Sequence, residues 1–146
     1  MNLFELTQYK RASEKALVEG GAMPGVGAIH TDEIRPTLAP LEKELGIDLM
    51  NNTLGSVGKR EFSGDIDVAL QIDTDKIPEF VERLKKSSQI LDIAKSSVIM
   101  TKVKIANFDK SKEDGRPRTG YVQVDFMPGD PDWLKTYYHS PNEKDS

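Results

Sequence analysis

The chain contains no cysteine, two histidines and one tryptophan in 146 residues. Without cysteine there are no disulfides and no thiolate metal sites, which fits a reducing compartment. His30 and His139 alone are too few for a multi-histidine zinc site. No run approaches the ~18 apolar residues that a membrane-spanning helix needs. The first residues, Met1-Asn2-Leu3-Phe4-Glu5, lack the basic-then-apolar pattern of a secretory signal. Basic residues are not in excess either. The net charge is −4, which argues against a broad non-specific grip on nucleic acid. A small basic pocket for phosphates, or docking on one folded RNA, remains compatible with that total.

What is present reads as one α+β domain with a single core. The expected unit covers 1–138, with N-terminal helices in 1–46 and a small mixed or antiparallel sheet in 47–127, its helices packed on one face. Apolar spacing predicts a helix over 3–19. Glycine-rich 20–27 is a loop, too short and badly placed for a dinucleotide fingerprint. Thr31 is expected to cap a helix with Asp32 and Glu33 in its first turn. Pro36 and Pro40 are expected to interrupt it, with a restart at Pro36 and an end at Gly46. His30 reads as positioning that helix start. Strands are predicted over 51–54, 65–72, 97–105 and 119–127. A helix over 76–87 buries Ile77, Phe80, Val81 and Leu84. The polar stretch 107–118 reads as a mobile hairpin loop. Residues 132–138 can start a helix, where Trp133, Tyr137 and Tyr138 pack or stack. The polar stretch 139–146 looks like a tail or a shortened linker, with the missing part supplied by a continuing chain or a partner.

The chemistry concentrates in one stretch, Leu54-Gly55-Ser56-Val57-Gly58-Lys59-Arg60-Glu61-Phe62-Ser63-Gly64-Asp65-Ile66-Asp67-Val68. In a strand, Asp65 and Asp67 share one face while Ile66, Val68 and Leu70 share the other. Asp125 stands in a second apolar run with the same alternation: Val122, Val124 and Phe126 inward, Tyr121, Gln123 and Asp125 outward. If the two strands are neighbours, three carboxylates converge. Hard oxygen donors of this kind suit Mg²⁺, and a pair of such ions clamps an in-line phosphoryl displacement. Gly55 lets backbone approach a phosphate, Ser56 offers a hydroxyl and an N–H, and Lys59 and Arg60 follow as cations.

The order of these elements resembles the signature of the polymerase-beta-like nucleotidyltransferase superfamily. That signature is a hydrophobic residue, Gly, then Gly or Ser, a spacer, and an Asp-hydrophobic-Asp-hydrophobic run with a third acid on a later strand. Here it is Leu54-Gly55-Ser56, eight spacer residues, Asp65-Ile66-Asp67-Val68 and Asp125. The wording is similar to domains found in bacteriophage genomes. The resemblance covers roughly residues 47–127. It implies a catalytic core that transfers a nucleoside monophosphate from a nucleoside triphosphate such as ATP to a hydroxyl, with tRNA or another RNA as a candidate acceptor. It implies two Mg²⁺ ions, replaceable by Mn²⁺, on Asp65, Asp67 and Asp125, with Gly55, Ser56, Lys59 and Arg60 on the phosphates. It implies a cytoplasmic protein of a bacterium or an infected host. Most members carry a further helical domain, so a C-terminal domain or partner subunit is expected to complete the site. Two alternatives stand: a non-catalytic or antitoxin-like interaction module on the same fold, and a metal-dependent nuclease.

Several residues have plainer readings. An Asp-x-Asp pair alone is ordinary on a solvated strand face, and Gly55-Ser56 alone is a turn. Asp73, Asp75, Asp130 and Asp132 read as turn or cap residues. Lys102 and Lys104 share a strand face, most simply a solvent face. Arg116 and Arg118 are candidates for nucleic-acid backbone contact, but a polar loop tip is the plainer reading.

Overall fold

The computed structural model describes residues 23–55, 57–113 and 115–138, with only the backbone for 136–138. The expected helix over 3–19, the tail 139–146, Ser56 and the side chains of Tyr137 and Tyr138 lie outside the described residues. The elements are β1 (Ile29–His30), α1 (Thr31–Leu45), β2 (Phe62–Ser63), β3 (Asp65–Leu70), α2 (Ile77–Lys86), β4 (Ile90–Lys95), β5 (Ile99–Lys104), β6 (Tyr121–Pro128) and α3 (Trp133–Tyr138). They form an α+β fold. Strands β1 and β2 pair as a small antiparallel ribbon, and the main sheet has the order β3-β6-β5-β4. Strand β3 runs parallel to β6, and the other pairs are antiparallel.

Strand β3 alternates as the sequence requires. Ile66, Val68 and Leu70 are buried, while Asp65 is exposed and Asp67 half-buried. The buried set joins Val122, Val124 and Phe126 of β6 and the stripe Ile77, Phe80, Val81 and Leu84 of α2 in one core. Phe80 meets Phe126 edge to face, with ring centroids 5.2 Å apart. Trp133 is fully buried, and its indole N–H donates to the Ser97 carbonyl at 3.1 Å. Packing, not base stacking, occupies this ring.

Helix α1 corrects two expectations. His30, not Thr31, is its N-cap: His30 Nδ1 accepts the Asp32 N–H at 3.1 Å, and Glu33 Oε1 accepts the His30 N–H at 2.8 Å. The helix also runs unbroken through Pro36 and Pro40. Pro36 is half-buried and Pro40 exposed, so carbonyls freed by the missing N–H groups sit near water. The buried stripe Ile34, Leu38, Leu41 and Leu45 carries the helix past them. Gly46 ends it at φ +72°, donating to the Glu42 carbonyl.

Two further differences have local causes. The strand expected at 51–54 is a 3₁₀ turn, Met50–Asn52, followed by a single bridge from Thr53 to Val68. Asp48 draws this segment into a turn by accepting from the Asn51 N–H and side chain, while Asn52 donates to the Asp48 carbonyl. Strand β4 was not anticipated. Asp92, Ile93 and Ala94 are buried in succession, and a bulge follows Ile90, so no clean alternation marks it.

Arg118 is not a loop tip. Its side chain is 6% exposed and that of Glu33 3%. The guanidinium meets Glu33 through two bonds of 2.8 and 3.0 Å and donates to the carbonyls of Ala28, Asp109 and Lys112. It lies against the rings of Phe62 and Phe108, 5.3 and 4.7 Å from their centroids. Burial opposes ionisation of Glu33. Arg118 and the N–H groups of Asp109 and His30 together outweigh it and hold the carboxyl below its usual range. Removing one partner strands the other charge in the interior. Arg118→Met is therefore expected to lower the unfolding free energy by about 3–5 kcal/mol in urea titration; a loss below about 1 kcal/mol, typical of a surface pair, would contradict this role.

Candidate metal and phosphate site

Adjacency and register assemble the site. In the parallel pair of β3 and β6, Asp65 stands opposite Gln123 and Asp67 opposite Asp125. Directly opposed residues share a sheet face. The carboxylates of Asp65, Asp67 and Asp125 consequently offer oxygens that all lie within 4.8 Å of one another. Oxygens bound side by side on one octahedral Mg²⁺ at about 2.1 Å lie about 3 Å apart. Small side-chain rotations close that gap. The set is all oxygen, which matches a hard cation rather than zinc.

The third acid is more enclosed than an outward-facing residue should be. Asp125 is 5% and Gln123 6% exposed. A strap, residues 23–28, lies on this face and meets Gln123. Met23 and Val26 pack with Ala94 and Met100, and the Met23 N–H donates to Gln123 Oε1. Burial, followed by the charges of Asp65 and Asp67, pushes the Asp125 carboxyl up to about 7, against the opposing hydrogen bond from Gln123. Burial and the Asp67 charge also raise Asp65, with Arg116 working the other way. A divalent cation held among these oxygens would relieve both effects.

Beside Asp65 and Asp67 opens a cleft of about 290 Å³, lined also by Leu54, Gly55, Val57, Arg60, Phe62, Ser63, Gly64 and Arg116. Gly55 holds φ +70°, the left-handed turn that glycine permits. Arg60 reaches the cleft, whereas Lys59 is exposed on the turn. Arg116 arrives from the loop before β6, donates to the Phe62 carbonyl at 3.4 Å and packs over Gly64. A Cβ at Gly64 would stand 3.1 Å from its Nη1. The Ser63 hydroxyl is buried without a hydrogen-bond partner. The residue lines the cleft together with Arg60 and Arg116.

Lys102 and Lys104 do share the carboxylate face, opposite Gln123 and Tyr121. Lys102 lies 5.0 Å from the Tyr121 ring centroid, and Lys104 is exposed. Neither lines the cleft. The sequence marks neither Ser63 nor Gln123 as a site residue, and it marks Arg116 only as a candidate for nucleic-acid backbone contact. Gln123 was detectable, two residues before Asp125 on the same face. Ser63 adjoins the motif, but nothing in a loop sequence announces that Arg116 folds back over Gly64. Comparison with protein-family models, curated proteins and solved structures finds no match for this chain. Among the described residues, no helix is long and apolar enough to cross a membrane.

The raised Asp125 carboxyl has a sign that can be tested. Between 3.8 and about 7 the folded protein holds a proton that the unfolded chain has released. In EDTA, the melting temperature is therefore expected to fall as pH rises from about 5 to about 8, and saturating Mg²⁺ is expected to flatten that slope. A metal-independent, flat profile would show Asp125 ionised throughout.

Proposed function

We propose that this chain is the core of a Mg²⁺-dependent nucleotidyltransferase, moving a nucleoside monophosphate from a nucleoside triphosphate to a hydroxyl and releasing pyrophosphate. The observation that carries the reading is the register of β3 on β6, which gathers Asp65, Asp67 and Asp125 within 4.8 Å beside the cleft. The resemblance of Leu54-Gly55-Ser56 and Asp65-Ile66-Asp67-Val68 to the polymerase-beta-like signature supports the same conclusion.

Each residue has a role in this scheme. Asp65, Asp67 and Asp125 would hold the Mg²⁺ ions, which would neutralise charge on the triphosphate and acidify the attacking hydroxyl. Gly55 and Ser56 let the phosphates approach the backbone, Lys59 stands on the turn behind them, and Arg60, Arg116 and Ser63 face them from the cleft walls. The acceptor oxygen bonds to the α-phosphorus as the bond to the β-phosphate oxygen breaks. Its proton passes to Asp125, and pyrophosphate leaves. Catalysis consists of positioning and electrostatics. The candidate acceptor is the free hydroxyl of tRNA or another RNA, and a C-terminal helical domain or partner subunit completes the grip on the base.

The test is incubation with labelled nucleoside triphosphates, Mg²⁺ and RNA acceptors, followed by gel analysis. Transfer is expected, reduced by about 10³-fold in Asp67→Ala and restored by neither higher nucleotide nor longer incubation. Transfer that persists undiminished in Asp65→Ala and Asp67→Ala would sink the assignment. Nucleotide release from RNA without a triphosphate would point to hydrolysis instead.

A further inference from the structure

We propose that Gln123 is a positioning residue for Asp125, and that the strap of residues 23–28 holds it in place. The proposal rests on the reading of the three acids as a metal site and adds how the third acid is aimed. The Gln123 carboxamide nitrogen donates to both oxygens of Asp125, at 3.0 and 3.3 Å. Its oxygen accepts the Met23 N–H at 3.1 Å. With Asp125 ionised, this orientation of the amide is the matched one. Turned over, its oxygen would face two carboxylate oxygens and its NH₂ would face an N–H. Both ends therefore have fixed partners in a site from which water is nearly excluded.

The strap is itself anchored. Thr119 Oγ1 donates to the Gly25 carbonyl at 2.8 Å, and the Gly27 N–H donates to the Tyr121 carbonyl at 2.8 Å. Met23 and Val26 bury apolar surface against Ala94 and Met100. The chain of contact runs from strap to amide to carboxylate. Glutamine suits the position because it donates without charge. An arginine or lysine there would neutralise the acids and compete with the metal. Strand alternation puts residue 123 on the face of Asp125, so the donor comes from the strand that carries the acid.

The experiment compares Mn²⁺ binding by calorimetry in the wild type, Gln123→Met and Ile93→Val. The methionine is close in size and cannot hydrogen-bond in this way. The valine removes one core methylene at a distance from the acids and controls for lost stability. Gln123→Met is expected to weaken Mn²⁺ binding by about 10- to 100-fold, with Ile93→Val within about two-fold of wild type. A crystal structure of metal-free Gln123→Met is expected to show the Asp125 carboxylate turned away from Asp67. Wild-type Mn²⁺ affinity in Gln123→Met, or an unmoved carboxylate, overturns the proposal. If Gln123→Met does not fold, Gln123→Asn, too short to reach Asp125, is read in the same two assays. A wild type that binds no Mn²⁺ overturns the nucleotidyltransferase reading, while the orientation of Asp125 in the variant crystal still decides the role of Gln123.

Discussion

The Glu33–Arg118 pair is the constraint on which the rest of the structure hangs. It joins the first turn of α1, the loop before β6 and the chain around Ala28 through one enclosed set of hydrogen bonds. Five donor–acceptor contacts converge on one guanidinium, and two aromatic rings exclude water from it. The pair needs that completeness, because a buried charge with unfilled valences is a liability. Its effect reaches the site by covalent continuity. Fixing Arg118 anchors the segment two residues from Arg116, which approaches Asp65, and fixing Ala28 anchors the end of the strap that reaches Gln123.

The cleft shows the opposite situation, a set of groups in tension. Three acids face one another, one of them enclosed, and two have raised carboxyl groups. A hydroxyl nearby lacks a partner. Natural structures satisfy such groups almost everywhere. The one buried hydroxyl without a partner, that of Ser63, lies in the same cleft as Arg60 and Arg116.

How much of this could be read from the sequence depended on whether the signal was periodic or topological. The alternation Asp65-Ile66-Asp67-Val68 and the stripe Ile77, Phe80, Val81, Leu84 survive intact, because burial on one face imposes a period. The position of Asp125 followed from the same logic. Strand β4 escaped because both of its faces are covered at Asp92, Ile93 and Ala94. The continuity of α1 escaped because local proline rules lost to tertiary packing of Leu38, Leu41 and Leu45. Arg118 escaped for a different reason. A charged residue in a polar loop looks solvated until its partner, Glu33, is brought to it from far along the chain. The enclosure of Gln123 is likewise not legible in β6, since the Met23 N–H that meets it lies a hundred residues upstream.

The parallel pairing of β3 with β6 has a kinetic consequence. Asp67 and Asp125 become neighbours only after the chain has closed a loop of roughly sixty residues through α2, β4 and β5. No local hairpin can assemble the acids early. The repulsion of Asp125 by Asp65 and Asp67 therefore arises only once this long loop has closed. The three-acid cluster thus depends on a long-range strand pairing and not on any local turn.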